Sequence, residues 1–305
     1  MSDAAIRFDQ VTRSFGRKLA LDRMDLTVQP GEVVGLLGRN GAGKTTSLRL
    51  ANGLLYADSG SIRTLGHDPQ QEGVELRARV SLLSEESHLH PWMTVQQITD
   101  YAAGLHPQWD TDLADDLTRR LDLEPAATIA SLSRGTRAKV ALLLALAPRP
   151  QVLLLDDPTA GLDPLVRREV LEGILETLPA EGGAVIYASH LIHDVERIAD
   201  RVVFLERGRV QLDEPLESLK NEVRRVTAVF EDTAPASVTL PGMLDATVDG
   251  RVLSIVARGS DEELIAPLRA LGAGKIEVAP LPLEEILVAF LRDGNGTNQQ
   301  ETDHV

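Results

Sequence analysis

The chain has 305 residues, of which 43% are apolar and 25% charged, so it can bury a substantial core. Its 46 acidic and 31 basic residues give a formal net charge of -15, the wrong sign for a protein that coats nucleic acid. It contains no cysteine, which excludes disulfides and thiolate metal sites. Because of its acidic net charge, we expect the chain to have no nucleic-acid partner.

The first nine residues are polar and include acids, unlike the cationic and then apolar start of a secretion signal. The richest apolar stretch, residues 140–155, is broken by Pro148 and Pro150. It falls short of the about 20 residues that a membrane-spanning helix needs. The sequence thus predicts a cytoplasmic chain that does not itself cross a membrane.

Short apolar runs bounded by turn residues recur at 33–37, 152–155, 184–188 and 202–205. Such runs are typical of strands buried on both faces of a parallel sheet, and the helical spacing of residues 165–178 predicts a covering helix. Between residues 87 and 150 the pattern changes to three helical stretches, at 95–103, 110–121 and 136–147. We predict an α/β core with a helical insertion.

The composition changes again after about residue 213. Residues 226–230, 252–256 and 276–279 have the pattern of strands, and residues 261–271 and 283–291 that of helices. We predict a core domain over residues 1–217, a small acidic α+β domain over 218–293 and a disordered tail over 294–305. Regulation, a wider dimer contact and ligand binding are all open as roles of the small domain.

A phosphate-loop pattern lies between the predicted strand 33–37 and a helical stretch. Glycines let several backbone N–H groups approach phosphate oxygens, while the lysine places charge on the β- and γ-phosphates. The threonine after it supplies a Mg²⁺ ligand, and the helix directs its positive end at the anion. We predict a nucleoside triphosphate site formed by Gly38, Asn40, Gly41, Ala42, Gly43, Lys44, Thr45 and Thr46.

Two acids, Asp156 and Asp157, follow the predicted strand 152–155, and His190 follows the predicted strand 184–188. Because ligands of open α/β sheets bind at the carboxyl ends of strands, Asp156 is a candidate Mg²⁺ ligand. Asp157 is a candidate for orienting the attacking water, and His190 for donating to the γ-phosphate. A solvated turn would explain the two acids as well, and an isolated loop histidine is often incidental.

The order of these motifs resembles the ATP-binding cassette (ABC) ATPases over residues 6 to about 217. The phosphate loop is followed by a stretch around Glu85, by Leu-Ser-Arg-Gly-Thr at 132–136, by the strand with its acids, by Ala-Gly-Leu-Asp at 160–163, and by His190. The resemblance implies a mainly parallel phosphate-loop core with an antiparallel edge subdomain. It also implies ATP and Mg²⁺ as cofactors.

In that family two cassettes dimerise head to tail. The resemblance therefore implies that the signature residues Ser133, Arg134, Gly135 and Thr136 and the nearby Asp163 of one chain face the nucleotide of another. The second chain would be a copy of this one or a related cassette. Phe15 matches the aromatic residue that stacks on adenine, although a core position would explain it too. The match also gives Glu85 a role in catalysis and at the metal.

Several residues depart from the usual family pattern. Asp157 stands where a glutamate is usual, and Glu85 where a glutamine is usual, with Glu86 as the alternative register. Arg134 and Thr136 replace the usual glycine and glutamine of the signature. A carboxylate retracted by about 1 Å can lower a rate on the order of 100-fold, so we expect slow hydrolysis.

The signature form and the acidic C-terminal domain resemble bacterial exporters (ABC-2-like) whose membrane subunit is a separate polypeptide. The resemblance implies an ATPase subunit, peripheral on the inner face of the cell membrane, that drives this permease. Residues 88–93, with their histidines, Trp92 and Met93, are either a docking surface or a packed edge of the insertion. A soluble nucleotide-dependent regulator with vestigial hydrolysis is the alternative.

Overall fold

The computed structural model describes residues 4–84, 89–177 and 182–298. The chain divides into two compact units, Met1–Asp213 and Glu214–Val305. This division falls slightly before the predicted boundary at residue 217. Glu214 belongs to the second unit, because its carboxylate accepts two hydrogen bonds of 2.8 Å from the guanidinium of Arg258.

Nine strands and seven helices precede residue 216 in the described part of the chain. The strands are β1 (Ile6–Phe15), β2 (Lys18–Val28), β3 (Val33–Leu37), β4 (Ser59–Thr64), β5 (Val80–Leu83), β6 (Val152–Asp156), β7 (Ala184–Ser189), β8 (Arg201–Glu206) and β9 (Arg209–Pro215). The helices are α1 (Lys44–Ala51), α2 (Gly73–Arg77), α3 (Val95–Leu105), α4 (Thr111–Arg120), α5 (Arg134–Leu146), α6 (Pro164–Thr177) and α7 (Ile192–Ile198).

A six-stranded sheet in the order β5-β6-β7-β3-β8-β9 forms the centre of the first unit. The pairs β5–β6, β6–β7, β7–β3 and β3–β8 are parallel. Every residue of β3, β6 and β7 is buried, which explains why these strands are almost continuously apolar. The predicted α/β core is confirmed, and the carboxyl ends of β3, β6 and β7 lie at one edge of the sheet.

A second sheet, in the order β2-β1-β4, is antiparallel. It packs with residues of the parallel sheet in one apolar core that includes Ile6, Leu26, Leu36 and Leu154. This sheet is the predicted antiparallel edge subdomain. Its first strand ends at Phe15 and its second begins at Lys18, and these two residues lie near the phosphate loop.

The helical insertion is confirmed: α3, α4 and α5 lie between β5 and β6, and the described residues between these two strands include no further strand. Side chains cap all three helices. The Thr94 hydroxyl accepts from the backbone of Gln97, the Asp110 carboxylate from Leu113, and the Ser133 hydroxyl from Thr136. In the described part of the chain, no helix combines the length and the apolar character needed to cross a bilayer.

The second unit is a small α+β domain, as predicted. It contains α8 (Leu216–Glu222), β10 (Val223–Val229), β11 (Met243–Asp249), β12 (Val252–Arg258), α9 (Asp261–Ala270), β13 (Lys275–Pro280) and α10 (Leu283–Asn298). Its antiparallel sheet has the order β11-β12-β10-β13. Val226, Ile255, Leu264 and Leu268 are buried together between this sheet and α9.

Three features of this unit differ from the sequence prediction, and one is the short helix α8, which was not predicted. The strand β11 was not predicted, because its residues are half-buried or exposed and form no apolar run. The predicted disordered tail is also partly wrong, since α10 continues through residues 294–298 to Asn298. A helix that has begun adds residues at little cost, so local polarity alone does not stop it. Residues 299–305 of that tail lie outside the described residues.

Candidate functional site

The phosphate loop connects β3 to α1 at the carboxyl edge of the parallel sheet. Lys44 is the first residue of α1 and is only 6% exposed. Its ammonium Nζ donates a hydrogen bond of 2.7 Å to the carbonyl oxygen of Gly38 at the start of the loop. Burial lowers the pKa of Lys44, while the carboxylates of Asp157 and Asp156 oppose that shift.

Gly43 caps α1 with a left-handed backbone, at φ 118°. A methyl group at this position would lie 2.6 Å from the carbonyl oxygen of Ala20, so the packing of the loop on β2 requires glycine. No side chain caps α1, in contrast to α3, α4, α5 and α9. The first amides of α1 therefore have no side-chain acceptor of their own.

A cavity of about 430 Å³ adjoins this loop. Phe15 lines it and is 46% exposed, and on the same ring the Arg13 guanidinium lies 4.8 Å from the centroid. Arg13 is held in turn by Asp58 at 2.8 Å. The described lining residues are Phe15, Lys18, Ala20, Asn40, Gly41, Ala42, Gly43, Lys44, Thr45, Thr46 and Asp157. Phe15 is therefore a cavity residue and not a core residue.

Asp156 ends β6 beside the phosphate loop. The hydroxyl of Thr45 donates a hydrogen bond of 3.1 Å to Asp156 Oδ1, and Asp156 is 7% exposed. Burial raises the pKa of Asp156, the Thr45 hydrogen bond lowers it, and neighbouring Asp157 raises it further. A buried carboxylate next to a hydroxyl is a set of hard oxygen donors, the kind of ligand that Mg²⁺ prefers. These two residues fit a Mg²⁺ site.

Asp157 lies between the ends of β6 and β7. Its Oδ1 accepts hydrogen bonds from the Ser189 hydroxyl at 2.9 Å, from the His190 backbone N–H at 3.1 Å and from His190 Nδ1 at 2.8 Å. The structure thus brings Asp157 and His190 into direct contact. Asp157 has a left-handed backbone, at φ 46°, which a short polar side chain tolerates better than a long one.

Sequence analysis missed two residues of this site, Ser189 and Lys18. Ser189 ends β7 directly before His190, so the strand-end argument that identified Asp156 and His190 would have found it. Lys18 begins β2 and lines the cavity; its Nζ lies 3.5 Å from the point where a side chain on Gly41 would begin. No short motif marks Lys18, because its proximity to the loop depends on how the two sheets pack.

The signature residues form the start of α5. The Ser133 hydroxyl accepts from the backbone N–H of Thr136 at 3.0 Å and lies 2.8 Å from the Thr136 hydroxyl. Among the described lining residues of the cavity there is none from Ser133, Arg134, Gly135, Thr136 or Asp163. The predicted nucleotide residues therefore fall into two groups, one at the cavity and one at the end of α5.

Asp163 has a local structural role in this chain. Its Oδ1 accepts from the backbone N–H groups of Leu165 and Val166, both at 3.1 Å, and so caps the start of α6. The guanidinium of Arg134 packs on the same loop, since a methyl group on Gly161 would lie 2.6 Å from its Nη1. The predicted residues Glu85 and Glu86 lie outside the described residues.

Part of the predicted docking segment is exposed. Trp92 is 71% exposed and Tyr101 of α3 is 50% exposed. The imidazole ring of His90 lies 4.9 Å from the Trp92 ring and 5.9 Å from the Tyr101 ring, measured between centroids. We call His90, Trp92 and Tyr101 the aromatic patch. His88 lies outside the described residues.

Comparisons with known proteins identify the family. A family model described as ABC transporter matches residues 21–160. The daunorubicin resistance ATP-binding protein DrrA3 of Streptomyces coeruleorubidus is 34% identical and aligns over 93% of each chain. The Nod factor export ATP-binding protein I of Burkholderia lata is 33% identical, over 96% of this chain and 97% of its own.

A solved structure of a dimeric ATP-binding cassette with bound ADP and phosphate has the same fold. Its TM-score is 0.63 at 22% identity, and the match covers 69% of this chain and 98% of that one. The resemblance stated from the motifs is therefore confirmed by relatives that match nearly the whole chain. The chain belongs to the ATP-binding subunits of ABC transporters and is an ATPase.

Proposed function

We propose that two copies of this chain, or one copy and a related cassette, close on ATP and so drive a separate transmembrane exporter subunit. The observation that carries the proposal is the separation of the two groups of site residues. The cavity beside Lys44 includes no signature residue among its described lining, while Ser133 presents an exposed helix start elsewhere on the chain. A second chain would supply the missing half of each site.

In this scheme the loop residues and Lys44 bind the phosphates of ATP, and Phe15 stacks on adenine. The ring has an exposed face for this, and the Arg13 guanidinium stabilises its position. Ser133 and Gly135 of the second chain, with the flanking Arg134 and Thr136, contact the γ-phosphate from the opposite side. Asp163 holds the adjacent loop in place by capping α6.

Asp157 is the proposed general base for the attacking water. Its Oδ1 already accepts three hydrogen bonds, so Oδ2 remains for the water. Because His190 donates from Nδ1 to this carboxylate, its Nε2 is the nitrogen left to face the γ-phosphate, and it donates there in the imidazolium form, in which both ring nitrogens carry protons. Asp157 thus both orients the imidazole and activates water.

Thr45 and Asp156 are the proposed protein ligands of Mg²⁺. When bound, Mg²⁺ neutralises charge on the β- and γ-phosphate oxygens. The Thr45 hydroxyl and Asp156 Oδ1 are 3.1 Å apart, so small movements allow both oxygens to serve one cation. Glu85, the third residue that the family resemblance suggests, stays a prediction.

The aromatic patch is the proposed contact with the transmembrane subunit. Exposed tryptophan and tyrosine side chains are enriched at protein interfaces, and 71% exposure of Trp92 is costly without a partner. The names of the two export and resistance relatives favour export as the direction. Such a partner would place this chain at the inner face of the cell membrane. No nucleic acid takes part in this scheme.

We also propose that residues 218–293 are an accessory domain separate from the ATPase reaction. The segment 211–305 carries seventeen acidic and eight basic residues. Its acids pair with arginines on the surface, as Glu214 and Glu222 do with Arg258. This pattern favours solubility and contacts with another protein over a buried catalytic site.

The variant Asp157→Asn tests the scheme. It keeps the size of the side chain but loses the base, so we expect MgATP to bind and hydrolysis to fall about 100-fold. The closed dimer should then accumulate and be seen as a doubled mass by light scattering after gel filtration. A matched variant, Lys44→Ala, should stay monomeric at the MgATP concentration that just saturates Asp157→Asn, because it has lost the charge that holds the phosphates.

A monomeric Asp157→Asn protein under saturating MgATP would overturn the homodimer, and a monomer that persists after the related cassette is added would overturn the whole proposal. The regulator alternative gives a different result with the wild-type chain. A regulator would show the same very low hydrolysis with and without the detergent-solubilised membrane subunit. A transport ATPase should be stimulated by that subunit.

A further inference from the structure

A buried polar cluster lies beneath the loop that carries Asp157. It consists of Thr159, Tyr187 and Asp194, each 0% exposed, with Arg167 at its edge. The Thr159 hydroxyl donates to Asp194 Oδ2 at 2.5 Å and lies 2.9 Å from the Tyr187 hydroxyl. The Tyr187 hydroxyl is also 3.4 Å from the same carboxylate oxygen. We call these four residues the Thr159 cluster.

The chemistry of the cluster gives it one order of donors. A carboxylate only accepts, so Thr159 must donate to Asp194 and can then accept from Tyr187. Burial raises the pKa of Tyr187, which keeps its hydroxyl protonated and able to donate. The chain of donors therefore runs from Tyr187 through Thr159 to Asp194. Removing the central hydroxyl takes away the two shorter hydrogen bonds and leaves only the 3.4 Å contact between the Tyr187 hydroxyl and Asp194 Oδ2.

The cluster lowers the folding stability of the chain, so stability does not explain its presence. Asp194 Oδ1 and Arg167 Nε are buried and, within the described part of the chain, have no hydrogen-bond partner. Arg167 Nη1 is 3.8 Å from Asp194 Oδ1, which is too long for a hydrogen bond. A buried charge with incomplete partners is less favourable than apolar side chains of similar volume. Such a cluster calls for an explanation other than core packing.

The position of the cluster supplies that explanation. Thr159 follows Asp157 by two residues, and Asp194 lies in α7, which begins just after His190. The hydrogen bond between Thr159 and Asp194 therefore ties together the two loops whose side chains, Asp157 and His190, meet at 2.8 Å. Tyr187, on β7, stabilises this connection through its contact of 2.9 Å with the Thr159 hydroxyl.

We propose that Thr159 and Asp194 are positioning residues for ATP hydrolysis, which fix Asp157 and His190 relative to each other. Neither residue is among the described lining residues of the cavity at the phosphate loop. The inference rests on the proposed catalytic roles of Asp157 and His190. It predicts that damage to the cluster lowers turnover and leaves nucleotide binding intact, because the phosphate loop and Lys44 belong to other elements.

The test compares three variants of the full-length chain. Thr159→Val keeps the shape of the side chain and removes the hydroxyl, and Thr159→Ser restores it. Thr64→Val is the matched control, because Thr64 is also 0% exposed and its hydroxyl donates to the Ala51 carbonyl at 2.9 Å, on a different strand. We expect kcat to fall about 10-fold to 100-fold in Thr159→Val, with KM for ATP within about twofold.

Thr159→Ser should recover most of kcat, and Thr64→Val should keep it even where its thermal stability falls. Equal kcat in Thr159→Val and Thr64→Val would overturn the proposal, and so would an equal loss of kcat in Thr159→Ser and Thr159→Val. If Thr159→Val does not fold, Tyr187→Phe interrupts the same chain of donors. Its kcat should fall in the same direction and by less.

A spectroscopic measurement separates this inference from the proposed function. In protein labelled with ¹⁵N-histidine, the ring nitrogens of His190 are assigned by their loss in His190→Gln. We expect the His190 Nδ1 signal to move in Thr159→Val and to stay in Thr64→Val. If the wild-type chain does not hydrolyse ATP, the proposed function fails, and an unmoved His190 signal would then overturn the positioning role as well.

Discussion

Two groups of charged residues, one in each unit, are arranged in opposite ways. In the first unit, Lys44 and Asp156 are buried at the phosphate loop. Burial lowers the pKa of Lys44 and raises the pKa of Asp156, so it favours the neutral form of each side chain. In the second unit, Arg258 is held by Glu214 at 2.8 Å and Glu222 at 2.6 Å, and these hydrogen bonds raise its pKa further. The first arrangement costs free energy until a ligand arrives, whereas the second is complete by itself.

Among the variants that test this difference between the two units, Lys44→Ala should have the largest effect. We expect ATP affinity to fall about 100-fold, because two charge-assisted contacts of about 1.5 kcal/mol each would be lost. Titration calorimetry with a non-hydrolysable ATP analogue measures this loss. Lys275→Ala is the matched control in the second unit, where the side chain is 78% exposed and should not affect affinity. Near-equal affinities in the two variants would contradict the assignment of the site.

Asp157→Glu should raise the single-turnover rate of hydrolysis by about 10-fold, because the added methylene restores about 1 Å of reach toward the water. The substitution must also fit a backbone at φ 46° and a contact with Ser189. A rate equal to or below that of the wild-type chain would mean that these two constraints, and not reach, set the speed of hydrolysis.

Asp156→Asn should stabilise the nucleotide-free protein at pH 7 while abolishing hydrolysis. The folded pKa of Asp156 is raised, so ionisation costs stability as pH rises from the ordinary value of 3.8 through the folded value. Asparagine removes that cost. The gain in melting temperature should therefore be present at pH 7 and absent below pH 3.8.

Asp22→Asn is the control for the same comparison of melting temperatures, because the pKa of Asp22 is shifted in the opposite direction. Its pKa is lowered by the hydrogen bond from Arg209, so ionised Asp22 favours the folded state. Neutralising it should give no gain in stability at pH 7. A gain of equal size in both variants would show that net charge, and not burial, is responsible.

Arg258→Met should have the smallest effect. Its side chain is 36% exposed, so we expect the free energy of unfolding to fall by about 1 kcal/mol in a urea titration. At 1 M salt the difference should shrink, since exposed pairs are screened. A salt-independent loss well above this value would place Arg258 in the same class as the buried charges of the first unit.

Sequence patterns predicted the parts of the molecule that depend on local order. Strands buried on both faces, such as β3 and β6, show continuous apolar runs, and the residues at their ends are the site residues. The exposed strand β11 shows no such run and was missed. The contacts of Thr159 with Tyr187 and Asp194 join residues 28 and 35 positions apart, and only the packed fold brings them together.

The missing cap at Gly43 couples nucleotide binding to the order of α1. Helices α3, α5 and α9 complete their first turns with a threonine or serine hydroxyl, whereas α1 must obtain its acceptors from outside the chain. Phosphate oxygens then complete the hydrogen bonding of the first turn, so amide hydrogen exchange at Lys44, Thr45 and Thr46 should slow on binding, whereas Ser47 already donates to the Gly43 carbonyl at 2.9 Å. Bound ATP would thus complete the hydrogen bonding at the start of α1, the helix that helps to bind it.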